Sequence, residues 1–139
     1  MKLILASHGT LAKGMQNTLE MIAGKLGNLQ AYEAYTENSG DRFIAEIKKS
    51  VEASENETVV IVTDVLGGSV NNEMTQLLAT HDNVYLISGM NFPLLITLAT
   101  QVREVTKEDI LAAIEAGKQG IVLVNDLIAE DDNNEEDLL

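Results

Sequence analysis

Cysteine is absent from this chain, which excludes disulfide frameworks, thiolate metal sites and thiol nucleophiles. The two histidines, His8 and His81, lie too far apart in sequence to form a metal-ligand spacing. Basic residues are scarce: nine Lys and Arg against 22 Asp and Glu leave a formal net charge of −13. No basic stripe exists to neutralise a phosphate backbone, which argues against nucleic acid and equally against an anionic membrane surface. Electrostatics instead favour a partner with a positive patch. No apolar run approaches the ~20 residues needed to span a bilayer. The apolar start at Leu3–Ala6 is too short for a signal-peptide core and is interrupted by Ser7-His8. The sequence reads as that of a soluble, cytoplasmic protein. Aromatics make up only 4% against 45% hydrophobic residues, so the core is expected to be aliphatic.

What remains is a 139-residue chain of single-domain length, enough to bury ~68% of the surface that its unfolded form exposes. Leu3-Ile4-Leu5-Ala6 reads as a buried strand ending at Ser7-His8-Gly9. Leu11, Ala12, Met15, Leu19, Ile22, Ala23 and Leu26 follow at helical spacing, with Gly27-Asn28 as the stop. A strand of mixed polarity at 29–35 and a turn at 37–40 precede a second helix marked by Phe43, Ile44, Ile47 and Val51. Thr58–Thr63 is β-branched and apolar on both faces, as a central parallel strand requires.

A third helix with Val70, Met74, Leu77 and Leu78 inward leads to a fourth strand at 84–87. Pro93 suits the first turn of a helix running from about Leu94 to Val102. Thr106, with Glu108 and Asp109 behind it, opens the last helix, through Ala116. Gly117 and Gly120 then admit a fifth short strand, Ile121–Val124. Strands alternating with such helices define an α/β protein with a mainly parallel five-stranded sheet and helices on both faces. Glu130, Asp131, Asp132, Glu135, Glu136 and Asp137 mark 127–139 as an acidic, disordered tail behind a single domain spanning 1–126.

Two strand ends carry unusual chemistry: His8 after the first strand and Asp64 after the third. In an open α/β sheet, ligands sit beyond the carboxyl ends of neighbouring strands whose connections diverge. If these two strands are neighbours, Asp64 can accept a hydrogen bond from one imidazole nitrogen, fixing its tautomer and leaving the other nitrogen as a nucleophile. Gly9 and Thr10 enter the first helix, and Gly67, Gly68 and Ser69 enter the third. Helix starts of this kind offer amides and hydroxyls to phosphoryl oxygens. Each feature also has a plainer reading. A lone histidine is more often a surface or hydrogen-bonded residue, the class to which His81 is assigned. Asp64 and Ser69 can simply cap, and Gly67-Gly68 can be an ordinary tight turn.

Other motifs fail informatively. Gly67-Gly68-Ser69 lacks the Lys of a nucleotide-binding P-loop, and no G-x-G-x-x-G follows a strand. A His8–Asp64–Ser69 hydrolase triad is permitted by residue type, but Ser69 is not on a G-x-S-x-G elbow. A non-catalytic interaction module, in which His8 is incidental, is the third reading.

Between Lys2 and about Val124 the chain resembles the IIA domain of the mannose family of phosphoenolpyruvate-dependent sugar phosphotransferase systems. The resemblance rests on Ser7-His8-Gly9, Asp64-Val65-Leu66-Gly67-Gly68-Ser69 and Gly89-Met90-Asn91-Phe92-Pro93, in that order. It implies that His8 is the phosphorylated histidine, Asp64 the carboxylate that orients it, and Gly67, Gly68 and Ser69 the loop that holds the phosphoryl group. It further implies sheet order 2-1-3-4-5, with the last strand antiparallel and exchanged between the subunits of a homodimer. HPr would be the phosphoryl donor and a IIB domain or subunit the acceptor. No metal or nucleotide is needed in that scheme, and the sugar never touches this domain. Val70 and Leu66 depart from the proline and the aromatic common in the family. The related phosphotransfer subunit of dihydroxyacetone kinase usually has Asp-Leu-Gly-Ser in the later loop, so the double glycine here favours the sugar-transport branch.

Overall fold

Two strands buried on both faces organise the chain. β1 (Lys2–His8) is buried from Leu3 through Ser7, and β3 (Val59–Thr63) is buried at every residue. Aliphatic side chains of this kind suit a strand covered by helices on both sides. The computed structural model describes residues 1–137. Around these two strands it places α1 (Leu11–Ala23), β2 (Leu29–Ala34), α2 (Arg42–Glu52), α3 (Ser69–Leu78), β4 (Val84–Ser88), α4 (Phe92–Ala99), α5 (Lys107–Gln119) and α6 (Val124–Asp137). The sheet is wholly parallel, in the order β2-β1-β3-β4, with Leu5 flanked by Ala31 on one side and Val62 on the other.

The strand period of two divides the core into two layers. Leu3, Leu5, Val60, Val62 and Ile87 face Ala12 and Leu19 of α1, Leu95 and Leu98 of α4, and Ile110 and Ala113 of α5. Ile4, Ala6, Val59, Ile61 and Val84 face Phe43, Ile47 and Val51 of α2, and Val70, Met74 and Leu77 of α3. α1 therefore carries the chain outward from β1 to β2, while α3 carries it the other way from β3 to β4. The two connections part between β1 and β3, which opens a crevice at their carboxyl ends.

Several sequence expectations need correction. The sheet has four strands among the described residues, not five, so the order 2-1-3-4-5 stands only as far as 2-1-3-4. Residues 121–123 are not a strand, and Val124 opens α6. A strand requires a neighbouring edge for its N–H and C=O groups, and this run lies along none in the chain. Gly120 instead seats the end of α5 on α4, where an added Cβ would stand 2.5 Å from Pro93 Cγ. Ile121, Val122, Leu123 and Val124 are left between 52% and 78% exposed. The helix over Val124–Asp137 also occupies most of the segment expected to be a disordered tail, of which Leu138 and Leu139 lie outside the described residues.

Within the domain, α1 stops at Ala23, where Gly24 (φ +77°) donates its N–H to the Glu20 carbonyl, before the expected Gly27-Asn28. Leu11, Ile22 and Leu78, expected inward, are exposed. The capping box at Thr106 is present, with Thr106 Oγ1 accepting from the Asp109 N–H and the Asp109 carboxylate accepting from the Thr106 N–H.

Ser7 links fold to crevice. Its fully buried hydroxyl accepts the Ala12 N–H at 2.8 Å, reaching from the end of β1 to the first turn of α1. Ser7→Ala strands that amide, and the expected loss of stability is about 1–3 kcal/mol, measured by urea unfolding. An unchanged midpoint would mean that the bond is dispensable.

Candidate functional site

His8 is the last residue of β1 and Asp64 directly follows β3; since the two strands are neighbours, both side chains come to the same end of the sheet. Asp64 Oδ2 lies 2.8 Å from His8 Nδ1 and 2.9 Å from the His8 backbone N, while Asp64 Oδ1 accepts the Val65 N–H at 3.1 Å. An ionised carboxylate only accepts hydrogen bonds, so Nδ1 must carry the proton in this contact. In the neutral ring, Nε2 then holds the free lone pair. Nε2 sits 3.1 Å from Ser69 Oγ at the start of α3. The His8 side chain is 44% exposed and that of Asp64 only 14%, so the carboxylate is tucked beneath a ring that remains open to solvent.

Burial alone raises the pKa of the Asp64 carboxyl. The hydrogen bonds from the His8 ring and backbone, together with the charge of His8, outweigh it and leave the pKa below the ordinary carboxylate value.

Gly68 adds a steric reason for its residue type. A Cβ there would stand 3.3 Å from His8 Cε1 and 2.8 Å from Val65 Cγ1. With no side chain at this position, the imidazole can lie against the loop. Gly68 is also the N-cap of α3, in extended conformation, and no side chain caps that helix start. The unpaired amides of its first turn therefore face the same space as Nε2 and suit an anion.

The sequence-derived residues are not all equivalent. Ser69 stands at Nε2 and Gly68 against Cε1, whereas Gly67, at φ +77°, serves the turn that precedes them and does not touch the ring through its Cβ position. Gly9 has its N–H committed to the Ala34 carbonyl at 3.0 Å, so that amide is not free for a ligand. Thr10 is exposed at the start of α1 and makes no side-chain cap. His81 lies away in its turn, its Nδ1 near Thr80 Oγ1 and the Leu77 carbonyl. Asn71 is buried against Thr63, accepting its hydroxyl at 2.8 Å. Tyr35, which sequence reading treated only as the end of a weak strand, stands beside His8 with ring centroids 5.7 Å apart. Its aromatic character was the one available signal. Among the described residues no group of three or more His, Asp or Glu side chains could hold a metal ion, and no helix is long and apolar enough to cross a membrane.

A parallel, doubly wound sheet with a carboxylate-held imidazole facing a helix start at the switch point defines the class: an α/β protein of the kind that takes ligands at its strand ends. The family is a matter of direct match. Residues 2–133 fit the family described as the fructose IIA component of the phosphotransferase system, and the chain belongs to that family. It is therefore a IIA component, a phosphotransferase subunit of a sugar phosphotransferase system.

Among its relatives, the sorbose-specific EIIA component of Klebsiella pneumoniae is 28% identical over 113 residues, covering 81% of this chain and 83% of that protein. The mannose-specific EIIAB component of Escherichia coli is 22% identical and is matched over only 38% of its length. A crystal structure from Klebsiella pneumoniae, described as a phosphoenolpyruvate-dependent sugar phosphotransferase system permease, superposes with a TM-score of 0.78. It is 32% identical, covering 91% of this chain and 93% of the other.

Because the folded-state pKa of Asp64 is lowered, the ionised carboxylate stabilises the fold above the ordinary carboxylate range, and that contribution is lost as pH falls through the lowered value. Asp64→Asn is expected to melt below the unsubstituted protein at pH 7. The difference should close as the pH drops below about 4. Thermal unfolding across a pH series reads this directly, and a pH-independent difference would contradict it.

Proposed function

We propose that this protein is a phosphocarrier: His8 Nε2 accepts a phosphoryl group from phosphorylated HPr and passes it to a IIB domain, which phosphorylates the sugar as the membrane components import it. The observation that carries the proposal is the contact between Asp64 and Nδ1, which leaves Nε2 as the free nitrogen on an exposed ring. As Nε2 attacks, its lone pair forms the nitrogen–phosphorus bond while the donor's bond to phosphorus breaks. The ring becomes cationic, and the carboxylate at Nδ1 stabilises that charge. Ser69 turns its hydroxyl from Nε2 to a phosphoryl oxygen, and the uncapped amides of α3 receive the others. No proton need leave the site, so transfer onward to IIB is the same step reversed with a new acceptor. Positioning and charge stabilisation are most of what phosphoryl transfer asks of a protein.

The acidic composition supports a donor with a basic docking face. In this reading residues 1–126 form the IIA unit, the protein works in the cytoplasm, and it needs no cofactor.

The homodimer is proposed on the exposed Ile121–Val124 run and the unpaired outer edge of β4. Beside that edge, the Ser88 hydroxyl is buried without a hydrogen-bond partner. A second chain's Ile121–Val124 laid along β4 would cover the exposed apolar run and pair the free edge, as a fifth strand. Val122→Asp together with Leu123→Asp is expected to turn a dimer into a monomer in sedimentation velocity. A wild-type protein that is monomeric at tens of micromolar would contradict strand exchange.

The row Asp64–His8–Ser69 is also the order of a serine hydrolase relay, so the experiment must separate the two. On incubation with phosphoenolpyruvate and the general phosphotransferase proteins, the chain is expected to take up one acid-labile, base-stable phosphate. His8→Ala should abolish the label, Asp64→Asn should slow it by about 10²-fold, and Ser69→Ala should retain it. Label persisting in His8→Ala, or trapping of Ser69 by a phosphonate without any phosphate uptake, would reject the phosphocarrier reading.

A further inference from the structure

We infer that Tyr35 is a positioning residue for His8: its ring is the wall that keeps the imidazole turned with Nδ1 on Asp64 and Nε2 toward Ser69. The inference rests on the phosphocarrier reading and deepens it. Tyr35 directly follows β2, whose last residue Ala34 pairs with His8 across the sheet. It is the only non-glycine residue with a positive φ, at +60°, among those described. That region is disfavoured for a bulky side chain, and such outliers persist where surrounding structure imposes them, often at functional sites.

Two contacts impose it here. The Tyr35 N–H donates to the Gly40 carbonyl at 2.8 Å, closing the 35–40 turn. The ring also stands edge-on to Phe43, with centroids 5.4 Å apart and planes at 81°, and Phe43 is itself buried. So fixed, the Tyr35 ring lies 5.7 Å from the imidazole at a 39° tilt, within the range of direct aromatic contact.

The other sides of the imidazole are already occupied: Asp64 at Nδ1, Ser69 at Nε2 and Gly68 against Cε1. Hydrogen bonds at the two nitrogens hold the ring along its plane and oppose its rotation, but neither supports it against displacement out of that plane. Tyr35 supplies that support. The Tyr35 residue is 47% exposed, so its ring is not simply core filling. Its contacts with His8 and Phe43 are made by the ring, which assigns the role there.

Three variants separate positioning from mere support of the turn. Tyr35→Phe keeps the ring, Tyr35→Asn keeps a residue type that tolerates positive φ but removes it, and Tyr35→Gly removes both ring and strain. Initial rates of phosphate uptake are measured against phospho-HPr concentration, beside melting temperature and pH-dependent ¹⁵N NMR of the His8 ring. Tyr35→Phe is expected within about twofold of the parent rate. The Asn and Gly variants should lose about tenfold in kcat with KM little changed, and their ring nitrogens should shift toward an averaged pair of tautomers.

Parent-like kcat in a folded Asn or Gly variant would overturn the inference. So would a Phe variant as slow as Asn, or a loss confined to KM, which would make Tyr35 a docking contact. If the unsubstituted protein takes up no phosphate, the phosphocarrier reading fails. The NMR comparison still decides whether Tyr35 holds the ring.

Discussion

The 2.8 Å contact between His8 Nδ1 and Asp64 Oδ2 is the constraint through which the sheet acts on the chemistry. It exists because β1 and β3 are neighbours whose connections leave in opposite directions, so that the residue closing one strand meets the residue following the other. The same carboxylate also takes the His8 backbone N–H. Ring and main chain are therefore held by one anion, and the imidazole cannot rotate without giving up a charge-assisted bond. Buried strands on either side make the position of that anion a property of the core rather than of a flexible loop.

Around this contact the loop after β3 does two different jobs. Its second glycine makes room, because any side chain at Gly68 would press on both Val65 and the imidazole. Its serine and the uncapped start of α3 supply polar groups on the far side of the ring. The result is asymmetric: one nitrogen faces a fixed negative charge, the other faces donors. A group that acquires negative charge at Nε2 is thus drawn to the side from which anions are favoured, while positive charge developing on the ring is met at Nδ1. Membership in the IIA family places this arrangement among phosphotransferase subunits. This asymmetry at the two ring nitrogens is what the phosphocarrier proposal draws on.

Much of this was legible in the sequence, and for identifiable reasons. Thr58–Thr63 and Leu3–Ala6 show unbroken apolar runs because both faces of those strands are covered, and His8 and Asp64 stand out because each interrupts such a run at a strand end. The fifth strand expected at Ile121–Val124 is not formed in the chain: the run has strand-like composition, but composition does not say whether an edge receives it. Helix limits failed where a local cap outweighed the hydrophobic period, as at Gly24, which ends α1 before the apolar pattern stops. Tyr35 was missed for a similar reason: its backbone conformation is imposed by Gly40 and Phe43, and nothing in the residue type announces a left-handed turn. Gly9 erred in the other direction, because its amide, free on paper, is taken by Ala34 across the sheet.

The atom that carries the phosphorus is the most direct point of test. Protein labelled with ¹⁵N in its histidine rings, charged from phosphoenolpyruvate through the general phosphotransferase proteins, should show ³¹P–¹⁵N coupling to Nε2 of His8 while Nδ1 keeps its proton. Phosphorus bonded to Nδ1, or to the oxygen of Ser69, would contradict a mechanism in which Asp64 occupies one ring nitrogen so that the other can react.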